Sequence, residues 1–250
     1  MTTVVLRRGQ QTLGRIKNFL ILAAAFALGI WVESGGLIDD LIFYWPDIVY
    51  LTKQHITLTA ISGGLAIVTG VPLGIWLSRP SMRRVAETLM QVLNVGTTIP
   101  TLAILALSMS WLGIGTLPAV FALWVATLLP IVRNSYSGLI AVPGHLKEAA
   151  NGMGMRPGQI LLQVELPNAL YVIFAGIRTA LAINVGTVPL AFLIGGGGLG
   201  ELIFTGIDLL ETGMMLAGAI PTALLAVVVD FVIGVVAFLV IPRGVNPLRN

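Results

Sequence analysis

Six runs of mostly apolar residues, at 18–32, 56–78, 88–112, 117–132, 169–194 and 213–241, constrain what this chain can fold into. A run of about 20 such residues matches a hydrocarbon slab about 30 Å thick, and inside that slab backbone groups are satisfied by helices or closed barrels. Barrel strands would read as alternating segments of roughly ten residues, and the sequence has none. With 56% hydrophobic and 10% charged residues and a mean hydropathy of +0.95, the chain lacks the polar coat of a soluble domain, which carries about 25% charged residues. The expectation is an all-α integral membrane protein with about six transmembrane helices. The runs at 18–32 and 117–132 are short. At about 1.5 Å per residue they need flanking residues or a locally thinned bilayer.

Lys and Arg fix the orientation. Arg7, Arg8, Arg15 and Lys17 precede the first run; Arg79, Arg83 and Arg84 follow the second; Arg133, Lys147 and Arg156 separate the fourth from the fifth; Arg243 and Arg249 follow the last. The opposite side holds Lys53 with Glu33, Asp39, Asp40, Asp47, Glu201, Asp208 and Glu211. Both termini are therefore expected in the cytoplasm. A signal peptide with Ala25-Phe26-Ala27 as its cleavage site is an alternative for the first run, but those alanines lie inside the apolar stretch, which favours an anchor that stays. The net charge of +3 resides in short loops, where lipid headgroups account for it better than nucleic acid does. With no cysteine, disulfides, thiolate metal sites and cysteine nucleophiles are excluded. His55 and His145 fall on opposite sides of the membrane and cannot share a ligand set. No arrangement of residues supports enzyme activity.

Small residues recur every four positions in two runs, as Ser62, Ala66, Gly70 and Gly74, and as Gly218, Thr222, Ala226, Asp230 and Gly234. Such stripes serve close packing within one chain or a subunit interface. Arg178 and Asp230 lie inside apolar runs at similar depth on the cytoplasmic half, where an unpaired charge is costly, so they are expected to pair. A structural clamp fits better than a proton relay, because these runs supply no His and no second carboxylate. Pro100, Pro189 and Pro221 each remove a backbone donor and bend their helices. Nearby Thr97, Thr98, Thr101, Asn184 and Thr187 either line a pathway or hydrogen-bond between helices, and the sequence leaves both readings open.

Residues 195–200, GGGGLG, satisfy the pattern G-x-G-x-x-G, yet no βαβ unit surrounds them, so nucleotide binding is rejected. A flexible external turn, or a place where another protein's backbone comes close, suits Gly195, Gly196, Gly197, Gly198 and Gly200 better.

The segment from Pro143 to Pro167 is too polar to cross and too long for a minimal turn. A helix is expected after Pro143-Gly144, with Leu146, Ala149, Ala150 and Met153 on an apolar face, ended or bent at Gly154, followed by a second short element up to Pro167. With Lys147 and Arg156 as its cations, this segment suits a protein partner better than lipid. The run Glu148-Ala149-Ala150, three residues, Gly154, nine residues, Val164-Glu165-Leu166-Pro167 resembles the EAA loop of the membrane subunits of binding-protein-dependent ABC importers, E-A-A-x3-G-x9-I-x-L-P, departing from it in Val164 for Ile. IPTLAILALSMSWLGIG (99–115), LLPIVRNSYSGL (128–139), GMGM (152–155) and GIRTALAINVGTVPLAFLIGGGGLG (176–200) are similar to the permease branch for glycine betaine, carnitine and choline.

That resemblance implies a type I ABC importer permease with MetI-like architecture in the bacterial cytoplasmic (inner) membrane. It implies a cytoplasmic tail at 1–17, a first helix and external segment at 18–55, a core permease domain at 56–241 with a coupling loop at 133–168, and a second cytoplasmic tail at 242–250. Glu148, Ala149, Ala150, Met153 and Gly154 would shape the contact with a separate ATPase, and Leu166 and Pro167 would fix the return to the membrane. Thr98, Pro100, Thr101, Asn184, Thr187 and Pro189 are candidates for the pathway, and the glycines at 195–198 and 200 for an external gate or binding-protein contact. The implied partners are a second permease subunit, two ABC ATPase subunits, an external solute-binding protein and membrane lipid. ATP and Mg would bind the ATPase, and this chain would bind no cofactor. A permease for another small solute such as an amino acid, or a stand-alone secondary carrier, are the competing readings.

Overall fold

A computed structural model describes residues 36–96 and 98–245. The expected first span, the alternative signal peptide and Thr97 lie outside the described residues. Among those described, the elements are helices α1 (Leu37–Phe43), α2 (Trp45–Leu77), α3 (Arg83–Gly96), α4 (Thr101–Leu112), α5 (Thr116–Ile140), α6 (Gly144–Gly152), α7 (Pro157–Ile160), α8 (Leu166–Thr187), α9 (Gly200–Asp208) and α10 (Thr212–Val240). A π-turn over Leu161–Glu165 joins α7 to α8, and a 3-10 segment, Val188–Ile194, extends α8. From Pro157 to Ile194 the backbone is one run of helical turns 38 residues long.

Among the described residues, four helical stretches are long and apolar enough to cross a membrane, and five if α3 and α4 count as one broken span bent by 99°. The break falls within the run at 88–112, at the Pro100 expected to bend it. Pro100 cannot continue a helix from α3 and instead stands immediately before α4 with extended ψ of 137°. The run expected at 117–132 is not short. It continues through Arg133, Asn134 and on to Ile140, giving 25 residues in all. Likewise α2 starts at Trp45, well before the apolar run at 56–78.

Helices α2, α5 and α8 form the core, with Ala66, Ile131, Leu139, Ala169, Ile173, Ala180 and Leu181 buried between them. The first small-residue stripe is spent inside this one chain. A Cβ on Gly74 would lie 2.5 Å from Ser135 Cβ and 2.9 Å from the Val132 carbonyl, and one on Gly70 would lie 2.9 Å from Ile131. Close backbone approach of this kind is how membrane helices gain dispersion energy without a hydrophobic drive.

The second stripe is used differently. Gly218 packs under the α9 backbone, where a Cβ would sit 2.8 Å from the Leu199 carbonyl. Below it α10 is otherwise a peripheral helix: its most apolar stretch, of mean hydropathy 2.9, has none of its residues buried. At the opposite end from Arg79 and Lys147, the Tyr44 hydroxyl donates to Glu211 Oε1 at 2.7 Å, tying the start of α2 to the start of α10. The neighbouring carboxylate favours the neutral phenol, and the Tyr44 pKa is pushed up to about 12.

Candidate coupling loop and membrane face

Helix α6 begins at Gly144, directly after Pro143, and ends just before Gly154, which takes a left-handed φ of +79°. The ending is closed by backbone bonds from Met153 N–H to the Ala149 carbonyl at 3.0 Å, Gly154 N–H to Asn151 at 2.9 Å and Met155 N–H to Ala150 at 3.2 Å. These satisfy carbonyls that a helix end would otherwise leave bare. The four apolar residues expected on one face divide. Ala150 is buried, and Leu146 packs against the α5 and α8 core. Glu148 and Ala149 are exposed, and Met153 is 75% exposed. Glu148, Ala149 and Met153 thus offer a surface while Leu146 and Ala150 anchor the helix that carries it.

The second half of the loop is not a separate short element ending at Pro167. It is the beginning of the α8 span. Arg156 precedes α7, and its N–H donates to Gln159 Oε1 at 2.8 Å. Pro157 takes the first helical position, where a missing N–H does no harm. Pro167 would break an ordinary helix ten residues later, but the wider π-turn at Leu161–Glu165 comes just before it and re-phases the hydrogen bonds. Leu166 and Pro167 are half-buried and form the first turn of α8.

Glu165, to which the sequence reading gave no role, is buried within this turn. Arg79, just past the end of α2, places Nη1 2.7 Å from Glu165 Oε2. Lys147 on α6 places Nζ 3.9 Å from Oε1. The available signal was a carboxylate standing where the chain re-enters the apolar run, which needs a cation partner.

Inside the membrane helices, Arg178 of α8 pairs with Asp230 of α10 through two hydrogen bonds, Nε to Oδ1 and Nη2 to Oδ2. Both side chains stay partly open on the outer surface of the subunit, at 52% and 37%.

The candidate pathway residues do not come together. Asn184 is fully buried; its amide donates to Thr127 Oγ1 at 2.6 Å and to Ser62 Oγ at 2.9 Å, joining α8, α5 and α2. Pro189 is buried too. Neither has surface to offer a passage in this conformation, and for Asn184 the interhelical reading describes the geometry. The Thr187 hydroxyl returns to the Ile183 and Asn184 carbonyls. Thr98 and Pro100 are exposed at the α3–α4 break. Thr101 lines an open cleft of about 430 Å³ between α4 and α5, together with Ser108, Trp111, Phe121 and Ile183.

The glycine loop is held by specific contacts. Gly195, Gly197 and Gly198 have φ of +77°, +78° and +91°, and Gly198 N–H donates to Gln54 Oε1 at 2.9 Å. A Cβ on Gly200 would fall 2.0 Å from the Pro189 carbonyl. The backbone that comes close is this chain's own. Beside it, His55 is fully buried and its Nε2 is 3.0 Å from the Val185 carbonyl. Among the described residues no group of three or more His, Asp or Glu is placed to hold a metal ion.

Residues 70–242 match the family described as binding-protein-dependent transport system inner membrane component, and the chain belongs to that family. It is a membrane subunit of an ABC importer, a non-catalytic one, with ATP hydrolysis the task of a separate subunit. Among similar proteins, the osmoprotectant import permease protein OsmY of Salmonella typhimurium is 50% identical over 92% of this chain and 94% of its own length. The choline transport system permease protein OpuBB of Bacillus subtilis is 41% identical over 82% of this chain and 93% of its own. In fold, the chain resembles the MetNI methionine ABC transporter in an inward-facing conformation, with a TM-score of 0.69 and 24% identity over 80% of this chain and 96% of that one.

Proposed function

We propose that this chain forms half of the translocation pathway of an ATP-driven importer for a quaternary-ammonium compatible solute of the glycine betaine, choline or carnitine type. The observation that carries the reading is the division of α6: Glu148, Ala149 and Met153 face outward at the basic end of the molecule, on a helix anchored by Leu146 and Ala150. A short helix so presented suits the groove of a cytoplasmic partner. The names of the similar permeases support the solute class.

In this reading the chain sits in the bacterial inner membrane with six spans and both termini in the cytoplasm. A second permease subunit, identical or related, completes the pathway, with the bare face of α10 and the α4–α5 cleft among the surfaces it could cover. Two ABC ATPases carrying ATP and Mg grip Glu148, Ala149, Met153 and the Gly154 turn, and Leu166 and Pro167 relay their motion to α8. Thr98, Pro100, Thr101 and Thr187 lie towards the passage. The glycine loop, held rigid by Gln54, faces the solute-binding protein outside. Transport follows from two global states, one favoured by loaded binding protein and ATP, the other by nucleotide-free ATPases.

Uptake of labelled betaine, choline and carnitine by cells with and without the chain tests the solute class. Co-purification with an ATPase, lost on Glu148→Arg and Gly154→Pro together with uptake, tests the coupling. Uptake that survives both substitutions would refute it.

A further inference from the structure

Among the described residues, Glu165 is the only acidic side chain that is buried. It lies where three parts of the molecule meet: the end of α2, the coupling helix α6 and the base of α8. Arg79 holds its place firmly, since its Nε donates to the Ile75 carbonyl at 3.2 Å and its Nη2 to Ser78 Oγ at 2.8 Å. The cation therefore caps the carbonyl end of α2, where the helix dipole favours it. Its third contact, Nη1 to Glu165 at 2.7 Å, reaches out of α2. Lys147 approaches the other carboxylate oxygen more loosely, at 3.9 Å, from the residue just before Glu148.

Helix α6 is joined along the chain to α5 and α7 but not to α2. We propose that Glu165 is a positioning residue that links the coupling helix to α2: Arg79 fixes it to that helix, and Lys147 is the contact that tightens or loosens as α6 moves. The π-turn bears on this because an extra residue in a helical turn re-aims the side chains around it, and such turns recur at functional sites. Helix α2 in turn lies against α5 through Gly70 and Gly74 and against α8 through Gly63, so a displacement of its end is shared with the whole core. A buried carboxylate held by two half-exposed cations is also a sensitive point, because removing Arg79 leaves the carboxylate short of a partner away from water.

This inference rests on α6 being the handle that an ATPase grips. The test uses the complete reconstituted complex, with ATPases, both permease subunits and betaine-loaded binding protein. It reads basal ATP hydrolysis and its stimulation by the binding protein. Glu165→Gln and Arg79→Gln should each reduce stimulation about tenfold, in the range of a coupling free energy between sites. Basal hydrolysis and assembly should be unchanged, and the double variant should be no worse than either single one. Lys147→Met should give a smaller loss, and it decides the matter if Glu165→Gln does not assemble. Stimulation unchanged in Lys147→Met and Glu165→Gln, or basal and stimulated rates falling together, would overturn the proposal. A wild-type complex that never retains an ATPase would instead overturn the reading of α6.

Discussion

Gln54 and Gly198 meet at 2.9 Å, the side-chain carbonyl of one accepting the backbone N–H of the other across 144 residues of sequence. That bond crosses from α2 to the glycine loop. Beside it, a Cβ on Gly200 would fall 2.0 Å from the Pro189 carbonyl, an atom that cannot swing away, whereas a Cβ on Gly186 would meet nothing within 4 Å. Gly200→Ala should therefore destabilise the purified protein by about 1–3 kcal/mol, the range for overpacking. Gly186→Ala should be neutral or slightly stabilising, as Ala is the better helix former. Thermal unfolding in detergent checks both, and equal melting points would refute the argument.

Asn184 joins three helices through Thr127 and Ser62. Interhelical hydrogen bonds in membranes are worth about 0.6 kcal/mol on average, so the Asn184→Ala, Thr127→Ala cycle should give a coupling energy of about 0.5–1.5 kcal/mol. Strict additivity in equilibrium unfolding would show that the contact does not contribute.

For Arg178 and Asp230, charge reversal offers a direct comparison. Either Arg178→Asp or Asp230→Arg alone leaves two like charges facing each other within the apolar layer. Exchanging both residues should restore more membrane-assembled protein than either single change leaves. Equal damage in all three variants would mean that the pairing is dispensable.

Tyr44 links pH to stability. Its pKa is raised from 10.0 to about 12 because the phenol donates to Glu211. The neutral form is the one stabilised in the folded state. This contribution is complete below about pH 10 and fades as pH rises through 12. Comparing tyrosinate absorbance in wild type and Tyr44→Phe should isolate one late-titrating phenol. Glu211→Gln should return it to the ordinary range.

Apolar length located most of the membrane helices but not their ends. The run at 213–241 and helix Thr212–Val240 nearly coincide because most of α10 is uncovered by the rest of the subunit and its residues are apolar almost from end to end. By contrast, α2 starts beyond Lys53, Gln54 and His55, polar residues that break a hydropathy window. Two of them have work inside the fold, Gln54 at the glycine loop and His55 at Val185. Periodicity placed Leu146, Ala149, Ala150 and Met153 on one face, yet it could not say which edge of that face meets the core. Glu165 was legible in part: a carboxylate flanked by Val164, Leu166 and Pro167 calls for a cation, but its partners Arg79 and Lys147 are distant in sequence and only the tertiary structure names them.

The helical run from Pro157 to Ile194 has a bearing on leakage. In the proposed importer it leaves the coupling loop at one membrane surface and delivers the chain to the glycine loop at the other, with changes of pitch but no gap. A tilt imposed at the inner mouth then has a continuous backbone along which to reach the outer one, so in that reading both openings answer to the position of one element.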